Sequence, residues 1–436
     1  TALPEAVGLE VSAKGPYINF IFGGDYIAES VRAARHPDYG QLPARIERVI
    51  LEHTSANPNG PLHVGHIRNT VIGDTLVRAF RKAGYQVEAQ YYLNDMGRQI
   101  AIVAWGVKHL HYERLPGEKG DEFIVRHYIE ANKIAKDKPE IEHEFDEMME
   151  KIEAGDPETV KLFHYSVDIC TEGIKETLAA MNVCHDRFVR ETTFLWNGDM
   201  QKVLARVEAL PDAQHDGQMM YLDLSDKGFG NRYVLRRSNG TSVYAARDLA
   251  FHLWKNAQCD RSIDVLGADH KLIGSQLRTT LAMIGERSPE IVNFEFVSLP
   301  DSSMTTRGGV FITADELLAE TKKRALEEVT ARRPELGGAE RELIASAVAV
   351  GAVRYDIVKV SAEKSIVFNW KEALDFERQS APYIQYAHAR ACSILEKAKA
   401  DGGFAETYSF SDPYEIALVK HLAQFPYVIE KIVSEL

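Results

Sequence analysis

The spacing of apolar residues changes period several times along the chain, and each change marks an element. Arg48-Val49-Ile50-Leu51 is a short apolar run and predicts a buried strand. From Ile67 to Arg81 apolar residues recur at helical spacing, and Gly84 supplies the stop. Between the two lies Glu52-His53-Thr54-Ser55-Ala56-Asn57-Pro58-Asn59-Gly60-Pro61-Leu62-His63-Val64-Gly65-His66. Its Pro, Gly and Asn content predicts a turn, with the helix opening at about His63. Gln86 to Leu93 partly alternates and predicts a second strand. Asn94-Asp95-Met96-Gly97-Arg98-Gln99 follows as a polar turn, at the edge where ligands of open α/β sheets lie. It serves either as a structural cap or as part of a site.

From Lys108 to about Met181 the pattern becomes that of charged amphipathic helices, over 121–135, 140–153 and 157–180. This predicts a helical insertion between two halves of a nucleotide-binding sheet, its charge mostly a solvated face. Met219–Leu224 and Arg232–Arg236 predict strands, and Asn239-Gly240 suits a two-residue hairpin. A helix runs on from Tyr244, placing Tyr244 and Asp248 on one face. Ser262–Leu266 is a further buried strand, ending in Gly267-Ala268-Asp269-His270 before a helix to about Ile284. Asn293–Ser298 is another strand and leads into the hydroxyl-rich loop Leu299–Gly309. Thr313 caps a long helix with acids in its first turn, and from Glu340 onward the pattern is almost entirely helical. The fold class expected is α/β: a Rossmann-like parallel sheet with a helical insertion, then an all-helical C-terminal region.

Composition narrows this picture. A chain of 436 residues with 45% hydrophobic and 26% charged residues is an ordinary globular protein of roughly three domains. No apolar run reaches the ~18 residues that span a membrane, and there is no signal peptide. Cys170, Cys184, Cys259 and Cys392 are widely spaced, which disfavours a disulfide framework or a zinc site and suits a reducing cytoplasm. The net charge of −13 argues against a general nucleic-acid coat but leaves room for a local basic face for one RNA.

The chemistry concentrates at the first turn. A helix N-terminus offers N–H groups and a partial positive charge, so it attracts phosphate. His63 and His66, three apart, can donate to one anion, and Gly65 leaves room for a flat ring over the backbone. The same pair could be metal ligands or surface residues, but no third ligand cluster follows. Asp248 and Glu191 are carboxylates able to grip a planar cation, and Tyr244 offers a hydroxyl and a ring face. Glu191 is otherwise an exposed strand acid, and Asp269 otherwise a helix cap.

The His63-Val64-Gly65-His66 block resembles the H-I-G-H signature of class I aminoacyl-tRNA synthetases, with Val64 in place of isoleucine. The longer run T-S-A-N-P-N-G-P-L-H-V-G-H-I-R-N-T is similar to arginyl-tRNA synthetases, archaeal forms among them. Asn94–Gln99 resembles the family's N-D-x-G-x-Q element, and Gly15–Phe22 the end of its N-terminal appended domain. The resemblance implies ATP with Mg2+, L-arginine and tRNA(Arg) as reactants, and a monomer in the cytoplasm. It implies catalytic roles for His63, His66 and Arg307, and ATP contacts from His63, Gly65, His66, Gly267, Asp269, His270 and Met304. Arginine contacts fall to Asn57, Glu191, Tyr244, Asp248 and Gln276, with no resident metal. The organisation expected is a partial appended domain over 1–43 and a catalytic domain over 44–107 and 216–335. A mainly helical insertion occupies 108–215. Residues 336–436 are then a stem-contact region and the start of a shortened anticodon-binding domain. Two other classes remain: a small nucleotidylyltransferase, and a synthetase-like RNA-binding module without catalysis.

The chain departs from the class at its second signature, K-M-S-K-S, where it has Ser303-Met304-Thr305-Thr306-Arg307 and no lysine. Some family members without that lysine carry one just before the first signature, but Gly60 stands there. Arg307 is therefore the expected cation on pyrophosphate. Arg307→Ala should lower ATP–pyrophosphate exchange at least about tenfold, ~1.4 kcal/mol of barrier. An unchanged exchange rate refutes the role.

Overall fold

The computed structural model describes residues 9–230, 232–298, 312–400 and 408–436. Met304 and Arg307 lie outside the described residues. In chain order the elements begin with a hairpin, β1 (Leu9–Lys14) and β2 (Tyr17–Phe22), and α1 (Gly24–Ala34). Then come β3 (Arg48–Glu52), α2 (Val64–Lys82), β4 (Gln86–Leu93) and α3 (Arg98–Leu110). The insertion supplies α4 (Gly120–Asp137), α5 (Ile141–Glu153) and α6 (Pro157–Ala180). After β5 (Arg187–Arg190), α7 (Thr192–Trp196) and α8 (Asp199–Glu208) comes a small antiparallel sheet. Its strands are β6 (Ala213–Asp216), β7 (Met219–Leu222) and β8 (Tyr233–Arg236). The sheet returns through α9 (Tyr244–Asn256), β9 (Arg261–Gly267), α10 (Lys271–Met283) and β10 (Glu290–Phe294). The C-terminal part holds β11 (Val297–Ser298), α11 (Ala314–Arg332), α12 (Gly338–Val358), β12 (Ile366–Val367), α13 (Trp370–Ala373), α14 (Ala381–Ala400) and α15 (Pro413–Glu435).

The chain divides into two compact units. One takes residues 1–46, 78–86 and 386–436. Here the Tyr39 hydroxyl donates to Leu422 O at 2.5 Å, and Leu42 and Arg45 donate to the carbonyls of Lys82 and Gly84. Gly84 has φ +87, and a Cβ there would stand 2.1 Å from Pro43 O, so only glycine ends α2 this way.

The other unit takes residues 47–77 and 87–385. Its five-stranded sheet runs β10-β9-β3-β4-β5, which is the doubly wound order with a switch point between β3 and β9. The β10–β9, β9–β3 and β4–β5 pairings are parallel. Val49, Ile50 and Leu51 are all buried, because helices cover both faces of such a sheet. Three expectations need correction. The stretch 108–215 is not only an insertion, since β5 within it is a strand of this sheet. Asn239-Gly240 does turn the chain, but only the single bridge Arg236–Ser242 forms before α9 begins. The strand expected at 293–298 is split into the end of β10 and the short β11.

Arg68 holds the C-terminal half of this unit to α2. Its side chain is fully buried and its guanidinium donates to the carbonyls of Glu295, Phe296, Ser361, Ala362 and Lys364 at 2.6–3.3 Å. A flat fork with five donors suits such a cage, and an ammonium does not. Among the described residues no helix is long and apolar enough to cross a membrane. Arg68→Lys should destabilise the fold by ~3 kcal/mol, because buried carbonyls lose their donors. Denaturant unfolding checks this, and a change under ~0.5 kcal/mol contradicts it.

Candidate active site

The C-terminal ends of β3 and β9 open onto a hollow of about 500 Å3. The passage from β3 to α2 contributes Asn57, His63, Gly65 and His66 to its lining. The turn after β9 contributes Gly267, Asp269 and His270; α9 contributes Tyr244; Phe294 and Phe296 complete that side. A smaller recess shares Glu52, Tyr244 and His270 with the hollow and is lined also by Asp248, His252 and Asp264.

The passage itself is tightly held. Thr54 and Ser55 have φ of 70° and 39°, left-handed values that cost non-glycine residues about 1–3 kcal/mol each. Thr54 N–H donates to Asn69 Oδ1 at 2.7 Å, and Asn69 donates onward to Val265 O at 3.0 Å. His63 and His66 stack, with ring centroids 3.6 Å apart. His63 N–H donates to His66 Nδ1 at 3.3 Å, and Gly65 N–H to His63 Nδ1 at 3.1 Å. Since each Nδ1 accepts, each ring carries its proton on Nε2. Burial, then the neighbouring His63, lowers His66 to about 3, and burial lowers His63. Both imidazoles are therefore neutral N–H donors near pH 7.

Here the structure changes the expected picture. The first amides of α2 are already used: Val64 donates to Ile312 O, Gly65 to the His63 ring and His66 to His63 O. What this helix mouth presents is two imidazoles. A Cβ on residue 65 would lie 2.9 Å from His63 Cε1, so the room that Gly65 leaves is filled by the His63 ring.

Asp248 heads a chain of buried charges. Its carbonyl and Oδ1 lie 2.8 and 3.2 Å from His252 Nδ1, and His252 Nε2 lies 2.8 Å from Asp264 Oδ2. Acceptors on both sides mean that both ring nitrogens carry protons. Burial and Lys255 oppose that charge, but Asp264 and Asp248 outweigh them and raise His252 to about 10. Lys255 Nζ donates to Asp264 Oδ1 at 2.7 Å and to Glu52 Oε2 at 2.9 Å. Glu52, His252 and Asp264 have ligand-like spacing, but this ammonium already serves both carboxylates. Counted formally, two cations sit among three carboxylates, one negative charge in excess, with burial raising Glu52 and Lys255 pulling it back.

Glu191 is not an exposed strand acid but fully buried. The Arg247 guanidinium pairs with its Oε1 and also donates to Ser242 O and Oγ. With the Asn94 amide turned so that its nitrogen faces the carboxylate, that nitrogen lies 2.7 Å from Glu191 Oε2. Burial raises Glu191 to about 6, with Arg247 pulling the other way. Asp95 is the structural cap weighed above: it accepts from Thr192 N–H and Oγ1 at 2.9 and 2.7 Å and fixes the turn that carries Glu191.

The family model for tRNA synthetases class I (R), catalytic domain, matches residues 35–370. The chain belongs to the arginyl-tRNA synthetases. A model for the DALR anticodon binding domain matches residues 384–436 of this synthetase. An arginine–tRNA ligase of Methanocorpusculum labreanum is 84% identical over 436 residues, which is 100% of this chain and 78% of that protein. One from Methanoregula boonei is 60% identical over 431 residues, 99% of this chain and 77% of that protein. Among solved structures, Thermus thermophilus arginyl-tRNA synthetase superposes with a TM-score of 0.85 at 29% identity, covering 100% of this chain and 78% of that one.

Asn57, His63, Gly65, His66, Tyr244, Gly267, Asp269 and His270 thus line one hollow in this synthetase, with Asp248 in the adjoining recess. Gln276 is buried in α10 and lines neither, and Glu191 is engaged by Arg247. Asp269 gives α10 no side-chain cap. The sequence reading missed Arg247, His252, Lys255, Glu52 and the two phenylalanines. One signal was available: positions 244, 248, 252 and 255 form a polar stripe at helical spacing. The His252 ring should titrate near pH 10 by NMR. Its stabilising effect should be complete below its unfolded value of about 6.5 and fade as pH rises toward 10. A midpoint near 6.5 contradicts the charged assignment.

Proposed function

We infer that this synthetase activates L-arginine with ATP and transfers it to the 3′ end of tRNA(Arg). Class I synthetases run two displacements. An oxygen of the arginine carboxylate attacks the α-phosphorus of ATP, and pyrophosphate leaves. A ribose hydroxyl of the terminal nucleotide then attacks the acyl carbon, and AMP leaves. Neither step needs a protein nucleophile, so catalysis rests on positioning and charge stabilisation.

The observation that carries the assignment of residues is the shared hollow, with neutral imidazoles at one side and Tyr244 with an under-neutralised carboxylate chain at the other. On this reading Nε2–H of His63 and His66 donate to the α-phosphate as charge builds there. Gly65, Gly267, Asp269 and His270 take the adenosine, and Mg2+ enters with the triphosphate as part of that substrate. Asn57, whose amide nitrogen is held by Gln99 Oε1 at 2.7 Å, faces the backbone groups of the amino acid. Asp248 grips the guanidinium with Tyr244 beside it, and Glu191 and Gln276 support that pocket from within. Met304 and Arg307 serve the pyrophosphate.

We assign residues 1–43 to an appended domain and 336–436 to stem contact and anticodon binding; the DALR match over 384–436 supports the latter. On this reading the synthetase works as a monomer. Cysteines free of disulfides among the described residues support a reducing cytoplasm.

Asp248→Asn removes the unmatched charge while keeping the shape. It should raise the KM for arginine roughly a hundredfold, ~3 kcal/mol, and leave that for ATP unchanged, in exchange assays with tRNA present. An unchanged KM for arginine refutes the pocket.

A further inference from the structure

Phosphate and an amino acid need donors and carboxylates around them, but a purine needs a flat apolar face. Most of the hollow is polar, and its larger apolar side chains stand together on the β9–β10 side: Leu266, Ile273, Phe294 and Phe296. Phe294 is directly opposed to Gly267 in the β9–β10 pairing and is buried. Its Cζ lies 3.6 Å from where a Cβ on Gly267 would stand, so it backs that wall. Phe296 is 57% exposed, although it lines the same hollow.

Single exposed phenylalanines are common on protein surfaces. This one lines a concavity, and its backbone is fixed from several directions. The Phe296 carbonyl accepts from the Arg68 guanidinium at 3.3 Å and from Ile366 N–H at 3.1 Å. The preceding Glu295 accepts from Arg68 through its carbonyl at 2.6 Å and donates its N–H to Ala362 O at 2.9 Å. The Glu295 carboxylate accepts from Lys271 Nζ at 3.0 Å, and Lys271 follows the lining residue His270. Arg68 stands two positions after His66 on α2, so the helix that carries the imidazoles also clamps Phe296. A fixed backbone under an uncovered ring loses little freedom when a ligand covers the ring.

We propose that Phe296 is a further ATP-binding residue: its uncovered ring is the face against which the adenine of ATP lies. This rests on the reading in which Gly267, Asp269 and His270 take the adenosine. Every base has a π-face, so such a ring supplies affinity for a base and leaves the choice of base to polar groups.

Phe296→Ala tests this in the full chain, in exchange assays with tRNA present and arginine saturating. The KM for ATP should rise about tenfold while that for arginine stays, since base–aromatic stacking is of that size. Phe296→Tyr, which keeps the ring face, should restore the affinity. Inorganic tripolyphosphate carries the charge of the triphosphate without a base, and it should inhibit the protein and Phe296→Ala equally. The melting temperature without ligands should hold, because the ring is already largely in water. An unchanged KM for ATP overturns the proposal. So does a rise in the KM for tRNA in place of that for ATP, which gives the ring to the terminal nucleotide of tRNA. Weaker inhibition by tripolyphosphate, or no recovery with Phe296→Tyr, overturns it as well, since either marks a general distortion of the hollow. His63→Ala, assayed alongside, keeps the two levels apart. If it lowers exchange and Phe296→Ala leaves the KM for ATP unchanged, only the role of Phe296 falls. If neither variant alters exchange, the reading of the hollow as the ATP site falls with it.

Discussion

The ammonium of Lys255 is the contact on which the unit containing the cleft depends. Glu52 and Asp264 are directly opposed on the paired strands β3 and β9. Two buried carboxylates so placed repel each other, and that repulsion falls on the switch point of the sheet. Lys255, fully buried and donating to both, turns repulsion into a bridge. Removing it would leave unpaired charge inside the protein, one of the few single changes that cost several kcal/mol. The same bridge sets the ends of β3 and β9, and from those ends the two walls of the cleft depart.

The electrostatic organisation of the cleft follows. Its imidazole side is neutral, so it acts through directed N–H groups rather than net charge. Its acidic side is a chain that alternates sign from Glu52 through Lys255, Asp264 and His252 to Asp248. Each link is held by the next, which restrains Asp248 without using up its charge. The backbone strain at Thr54 and Ser55 is compatible with this because Asn69 pins that turn to β9.

Much of this was legible in the residue pattern. β4 coincides with the predicted strand, the insertion helices with the predicted amphipathic runs, and α9 starts at Tyr244. These succeed because burial on one face leaves a period in the sequence. What was not legible depends on pairing across distance. Nothing local says that Glu191 is buried against Arg247, since an acid after a short strand is usually solvated. The free amides expected at the start of α2 were lost to Ile312 and to the signature's own side chains, contacts that only the fold creates. The stripe 244-248-252-255 was visible, but a polar stripe also describes an ordinary wet helix face, and only the opposing strand acids tell the two apart.

The unmatched charge at Asp248 has a consequence for the protein at rest. Asp248 shares its one close cation, His252, with Asp264, and desolvated negative charge that is only partly offset weakens the native state; a cation that binds only the native state restores it by mass action. On the proposed reading, in which Asp248 grips the guanidinium, the amino acid this synthetase consumes is also a conformational stabiliser of the enzyme. How long a molecule survives unfolding and proteolysis becomes tied to how much arginine surrounds it.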